Sequence, residues 1–102
     1  MTVKKRYLTS RPECRCTFVL PAEAAPNAST VALAGDFNDW SPDSHPMKRL
    51  KSGDFKLELN LPVGQQYQYR FCIDGSQWEN DWNAEAYVPA AGLPVDNSLV
   101  TL

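Results

Sequence analysis

Phe55-Lys-Leu-Glu-Leu-Asn-Leu-Pro-Val-Gly-Gln-Gln-Tyr-Gln-Tyr-Arg-Phe-Cys-Ile73 decides the fold. From Phe55 to Leu61 every second residue is apolar, with Lys56, Glu58 and Asn60 between. Successive side chains of an extended chain point to opposite faces, so this run is a strand with one buried and one wet side. Tyr67, Tyr69, Phe71 and Ile73 repeat the pattern against Gln68, Arg70 and Cys72. Between the runs stand Pro62, whose ring presets φ for a turn, and Gly64, which tolerates positive φ. The reading is a hairpin, with Tyr67, Tyr69 and Phe71 in the core and Arg70 on the outer face.

Working outward, residues 14–20 and 30–37 also read as strands, separated by Pro21-Ala-Glu-Ala-Ala-Pro26. Ala22 begins like a helix that Pro26 cuts short. A brief strand near 47–50 turns at Ser52-Gly53, and residues 97–102 offer a last β run. About seven short strands with closely spaced turn signals predict an all-β, immunoglobulin-like sandwich; an open barrel of the OB type is the alternative.

The chain has 102 residues, enough for one domain and a modest core. Its 43% hydrophobic and 22% charged content is that of an ordinary globular protein, and a net charge of -2 gives no electrostatic footprint for nucleic acid. Lys4, Lys5, Arg6, Arg11 and Arg15 gather near the N-terminus; an anionic partner is one reading, and the favoured one is a frayed, flexible basic arm over residues 1–13 ahead of a domain over 14–102. No apolar run approaches the roughly 18 residues of a membrane span, and Met1-Thr-Val-Lys-Lys-Arg6 is not followed by a signal-peptide core. The expectation is a cytoplasmic protein with neither a membrane nor a nucleic-acid partner. Three cysteines without ligand spacing make neither a disulfide framework nor a zinc site. Cys14 and Cys16, in phase with Phe18 and Leu20, read as small core residues, and Cys72 falls in the outer stripe of Arg70.

Function is carried by Val31-Ala-Leu-Ala-Gly-Asp-Phe-Asn-Asp-Trp40 together with Tyr69 to Gly75 and Trp78. Trp40 and Trp78 are stranded in polar loop sequence, where an indole is costly to expose and its flat face is suited to stacking on a ring. Two such residues beside hydrogen-bonding side chains read as a surface platform for a sugar chain. Packing alternatives stand beside this reading. Trp40 would then cap the core, Arg70 would be a solvated strand residue, and Trp82 is either a third sugar contact or a loop-packing residue.

Catalysis is poorly supported. His45, between Ser44 and Pro46, reads as a solvated loop residue. Asp36, Asp39, Asp74, Glu79 and Asp81 offer carboxylates for a glycosidase pair, but a small sandwich has little material for the necessary cleft. The acidic stretch 74–81 lacks the alternating ligands and central Gly of an EF-hand, so neither metal nor cofactor is assigned.

Gly35-Asp-Phe-Asn-Asp-Trp-Ser41, Leu61-Pro-Val-Gly64, Tyr67-Gln-Tyr-Arg-Phe71, Ile73-Asp-Gly75, Trp78, Tyr87-Val-Pro89 and Gly92 followed by Asn97-Ser-Leu-Val100 form an ordered set over roughly residues 14–102. The set resembles carbohydrate-binding module family 48, the isoamylase N-terminal early-set domains of α-glucan branching and debranching enzymes and of the β subunit of AMP-activated protein kinase. The resemblance implies a non-catalytic module binding an α-1,4-glucan such as glycogen, starch or a maltooligosaccharide, catalysis residing in a separate barrel. It implies that Trp40 and Trp78 stack on glucose rings, and that Arg70 stands where kinase-type modules carry a hydroxyl-binding Lys. Asp96-Asn97 matches an Asn-Asn pair that reaches sugar hydroxyls, with the first member changed. A Leu that pushes through the glucan coil and a following Thr are not matched near Ala91 and Leu93. The implied partners are the glucan and a glucan-metabolising enzyme, with the chain a monomer or weak homodimer. The competing reading is a protein-interaction or dimerisation domain that has lost sugar affinity, with Cys72 as an exposed contact.

Overall fold

The computed structural model describes residues 3–102. Among them lie nine strands: β1 Lys4–Tyr7, β2 Glu13–Leu20, β3 Val31–Gly35, β4 Lys48–Arg49, β5 Phe55–Pro62, β6 Gln66–Ile73, β7 Gln77–Glu79, β8 Ala86–Pro89 and β9 Asp96–Thr101. They form two antiparallel sheets, one in the order β1-β2-β5-β4, the other β3-β6-β9-β8 with β7 also beside β6. This is the expected immunoglobulin-like sandwich. The helical content described is two single 3-10 turns, Ala22–Ala24 and Asp36–Asn38. No described helix is long and apolar enough to cross a membrane.

The expected hairpin between the two alternating runs does not form. β5 pairs with β2 over eight residues, from Leu20↔Phe55 to Glu13↔Pro62, whereas β6 belongs to the other sheet. The connection crosses the sandwich, and its backbone bonds to neighbours: Val63 N–H to Pro12 O, Gly64 N–H to Leu102 O. Gly64 takes φ 78° to make the bend. Each run has one apolar face, and crossing lets those faces cover one another instead of lying side by side. Phe18 of the first sheet meets Tyr69 of the second edge-on, ring centroids 5.1 Å apart. Cys14, Cys16, Leu20, Val31, Leu33, Phe71 and Val100 complete a core closed to solvent.

Two further expectations are corrected. The basic stretch read as a frayed arm is ordered from Lys4 to Tyr7 as the edge strand β1, while Met1 and Thr2 lie outside the described residues. A reversal at residues 8–13 lays it against β2, and Lys5, in phase with the buried Cys16, reaches over the sandwich edge to pair with Glu85 and donate to Thr101 O at 2.8 Å. Cys72 is not an exposed contact. It is 1% exposed, set between Ala32 and Trp78 in one cross-strand row.

β6 positions everything that follows. Gln66 to Tyr69 pair with β9, and beyond them β7 takes over the same edge, returned by the Asp74-Gly75 turn so that Trp78 stands opposite Cys72. Asp74 Oδ1 holds that turn by accepting from the N–H groups of Ser29 and Thr30 at 2.8 and 2.9 Å.

Candidate functional site

Trp40 arrives at the outer face by a strained turn. After β3 the chain makes the Asp36–Asn38 3-10 turn, and then Asp39 and Trp40 both take left-handed φ values, 55° and 58°. Consecutive left-handed residues with side chains are uncommon and persist only when the surroundings fix them. Asn38 does much of the fixing: its Oδ1 accepts from Gly35 N–H, and its Nδ2 donates to Leu33 O and to His45 Nδ1. His45 is therefore part of this brace, edge-on to Phe37, and not the solvated loop residue expected from sequence. Phe37 packs on the core; Trp40 does not join it.

The indoles of Trp40 and Trp78 meet with centroids 6.4 Å apart and planes inclined by 56°. The Arg70 guanidinium carbon lies 5.6 Å from the Trp78 ring centroid, a cation–π contact. Trp78 is 41% exposed, although it is a large apolar residue. Beneath the rings runs a chain of hydrogen bonds. Trp40 Nε1 donates to Asp36 Oδ1 at 3.2 Å, and Gln68 N–H to Asp36 Oδ2 at 2.8 Å. Arg70 Nε donates to Asn97 Oδ1, and Asn97 Nδ2 to Gln68 Oε1, both at 2.9 Å. The rings line a groove of about 690 Å³ together with an apolar stretch that includes Leu93, 58% exposed.

Trp40, Arg70, Trp78 and Asn97 thus line one groove, and Asp96 and Trp82 do not. Asp96 differs from Asn97 by one step along β9, and one step turns a side chain to the opposite face. Its described link is through the main chain, its carbonyl accepting from Asn80 Nδ2. Trp82 is 52% exposed in the loop after β7. The neighbouring Asp81 carboxylate is drawn inward to the Tyr69 hydroxyl at 2.7 Å. Asn97 is nearly closed to solvent and both ends of its amide are engaged within the protein. Of the polar groove residues, Asp36 and Gln68 were not assigned to the sugar site from sequence. For Gln68 the signal was present, since it shares the outer phase of β6 with Arg70.

Three of the five carboxylates considered for a glycosidase pair have separate structural partners. Asp36 braces Trp40 and β6, Asp74 caps a turn, and Asp81 is buried against Tyr69. The groove combines two adjoining indoles with hydrogen-bonding side chains from β6, β9 and the turn after β3.

Residues 18–89 match the family model of carbohydrate-binding module 48, the isoamylase N-terminal domain. The chain is similar to the 1,4-alpha-glucan branching enzyme GlgB of Butyrivibrio fibrisolvens, 34% identical over 74 residues, covering 72% of this chain and 12% of the enzyme. It is 41% identical over 54 residues to GlgB of Deinococcus radiodurans, covering 52% of this chain and 8% of that protein. With the 1,4-alpha-glucan-branching enzyme of Felis catus it shares 54% identity over 43 residues, 42% of this chain and 6% of the relative. The chain thus spans 12% or less of the length of these relatives. These 102 residues make a sandwich of the kind accessory to catalysis, not a catalytic barrel. The chain belongs to the carbohydrate-binding module 48 family, the isoamylase N-terminal domains, and is a carbohydrate-binding module.

Proposed function

We propose that the domain binds α-1,4-linked glucan chains by stacking two glucose rings on Trp40 and Trp78, with the Arg70 guanidinium at the hydroxyl rim. The observation that carries this reading is the 56° inclination of the two indoles at 6.4 Å separation. A β-1,4-linked chain is extended and ribbon-like, whereas an α-1,4-linked chain curves, so that successive ring faces tilt as the indoles do. The branching enzymes to which the chain is similar are named for an α-glucan, which supports the same ligand class. With aromatic stacking worth about 1–3 kcal/mol per ring, and ordering of the ligand set against it, a dissociation constant of about 10 μM to 1 mM follows.

The partner implied by the relatives is an enzyme of α-glucan metabolism, brought to the polymer by this module. Self-association through β1 is disfavoured on this reading, because edge-to-edge pairing brings Lys4, Lys5 and Arg6 of two copies together. The test is calorimetric titration with maltoheptaose, β-cyclodextrin and cellohexaose. Saturable binding of the first two but not the third, lost in folded Trp40→Ala and Trp78→Ala variants, supports the platform. Absence of heat at millimolar maltoheptaose overturns it.

A further inference from the structure

The floor of the groove has a polarity fixed by its one obligate donor. Arg70 carries only N–H groups, so the Asn97 atom facing its Nε is Oδ1, leaving Nδ2 to face Gln68. Gln68 must then present Oε1 to Asn97, and its Nε2 has no protein partner among the described residues. On the other side, Asp36 accepts one N–H on each oxygen, from Trp40 Nε1 and from Gln68 main chain, and keeps lone pairs free at an exposed position. Trp40 Nε1 and the Asn97 amide are engaged within the protein and are not free to meet a ligand.

We infer that Gln68 and Asp36 are the residues that read sugar hydroxyls at this site, an amide donor and a carboxylate acceptor taking two adjacent hydroxyls of one pyranose ring, while Asn97 is a positioning residue. The inference rests on the glucan reading above. A vicinal diol offers two hydroxyls side by side, each able to donate and accept. A donor and an acceptor joined through a 2.8 Å main-chain bond at the edge of two stacking faces match that pattern. This differs from the role implied for Asn97 by the family resemblance, because its carbonyl and amino groups are already engaged.

The decisive variant is Gln68→Glu. It keeps the acceptor that Asn97 Nδ2 uses and replaces the free N–H groups by a charged oxygen, so Gln68→Ala serves as the uncharged control. Binding of methyl α-maltotrioside and its 2-deoxy and 3-deoxy analogues is measured by calorimetry for wild type, Gln68→Glu and Gln68→Ala. Expected is about a tenfold loss for both variants, the magnitude of one net hydrogen bond. A comparable loss is expected when wild type meets one of the deoxy analogues, with little further loss when a variant meets that analogue. Wild-type affinity in either folded variant overturns the inference and leaves the platform intact; for Gln68→Ala it also identifies any loss in Gln68→Glu as charge repulsion. Absence of binding by folded wild type overturns both.

Discussion

The Tyr69 hydroxyl donates a 2.7 Å hydrogen bond to Asp81 Oδ2 inside the sandwich, where Tyr69 is fully buried and Asp81 is 5% exposed. Asp81 also accepts from Asn83 N–H and donates its own N–H to Ser98 Oγ, while its carbonyl accepts from the Tyr87 hydroxyl. Asp81 therefore ties the loop after β7 to β6 through its carboxylate and to β8 and β9 through its main chain. Burial, and then the neighbouring Asp81 charge, push the Tyr69 pKa upward, which keeps the phenol a donor.

Tyr69→Phe removes that donor and leaves a buried carboxylate short of one partner. Hydrogen bonds to charged groups contribute about 1.5–3 kcal/mol, so a loss of that size is expected. Urea denaturation checks it, as a fall in midpoint at unchanged slope.

Gly35→Ala is expected to damage the floor of the groove without adding backbone strain, since Gly35 is extended. A methyl there would stand 2.4 Å from Gln68 O and 3.0 Å from the Phe37 ring. β3 must move off β6, at a cost of about 1–3 kcal/mol. The expected readouts are a lowered melting temperature and weakened maltoheptaose binding together.

The thiols are expected to resist labelling in the folded protein. Burial, followed by the neighbouring Cys14, pushes the Cys16 pKa to about 12, and burial raises that of Cys72. All three thiols are closed to solvent. A disulfide reagent at pH 8 should find almost no reactive thiol until urea is added, and then all three.

Lys5 has its pKa raised: burial works against the ammonium, but the hydrogen bond and charge of Glu85 outweigh it. A raised folded value stabilises below the unfolded value, near 10.5, and the benefit is lost as pH climbs through the folded value. Both partners are partly solvated, so Lys5→Met is expected to cost no more than about 1 kcal/mol at pH 7. The gap between wild type and variant should narrow above pH 10.5 in melts taken across that range.

What was legible in the sequence followed from alternation. Phe55 to Leu61 and Tyr67 to Ile73 showed their faces plainly, and with them the core and the outward phase of Arg70. Alternation says nothing of whether consecutive strands lie side by side or cross, and the expected hairpin failed on that point. β1, β7 and β8 were missed because each is four residues or fewer and none shows two clean faces; Lys4 to Tyr7 are all exposed. In the groove, the tryptophans were conspicuous as apolar residues in polar loops. Asp36 was not, because its place rests on a main-chain N–H of a strand thirty-two residues away. Asp96 was grouped with Asn97 by adjacency, which in a strand separates side chains instead of joining them.

β6 carries the core on one face, through Tyr69 and Phe71, and the groove on the other, through Gln68 and Arg70. An inserted or deleted residue in the middle of this strand would exchange the two, sending a guanidinium inward and a phenol out. Such a lesion destroys ligand contact and folding in one event. Sugar affinity can drift in descendants of this sequence by point replacement at the exposed phase, while the length of this strand stays locked by the other phase.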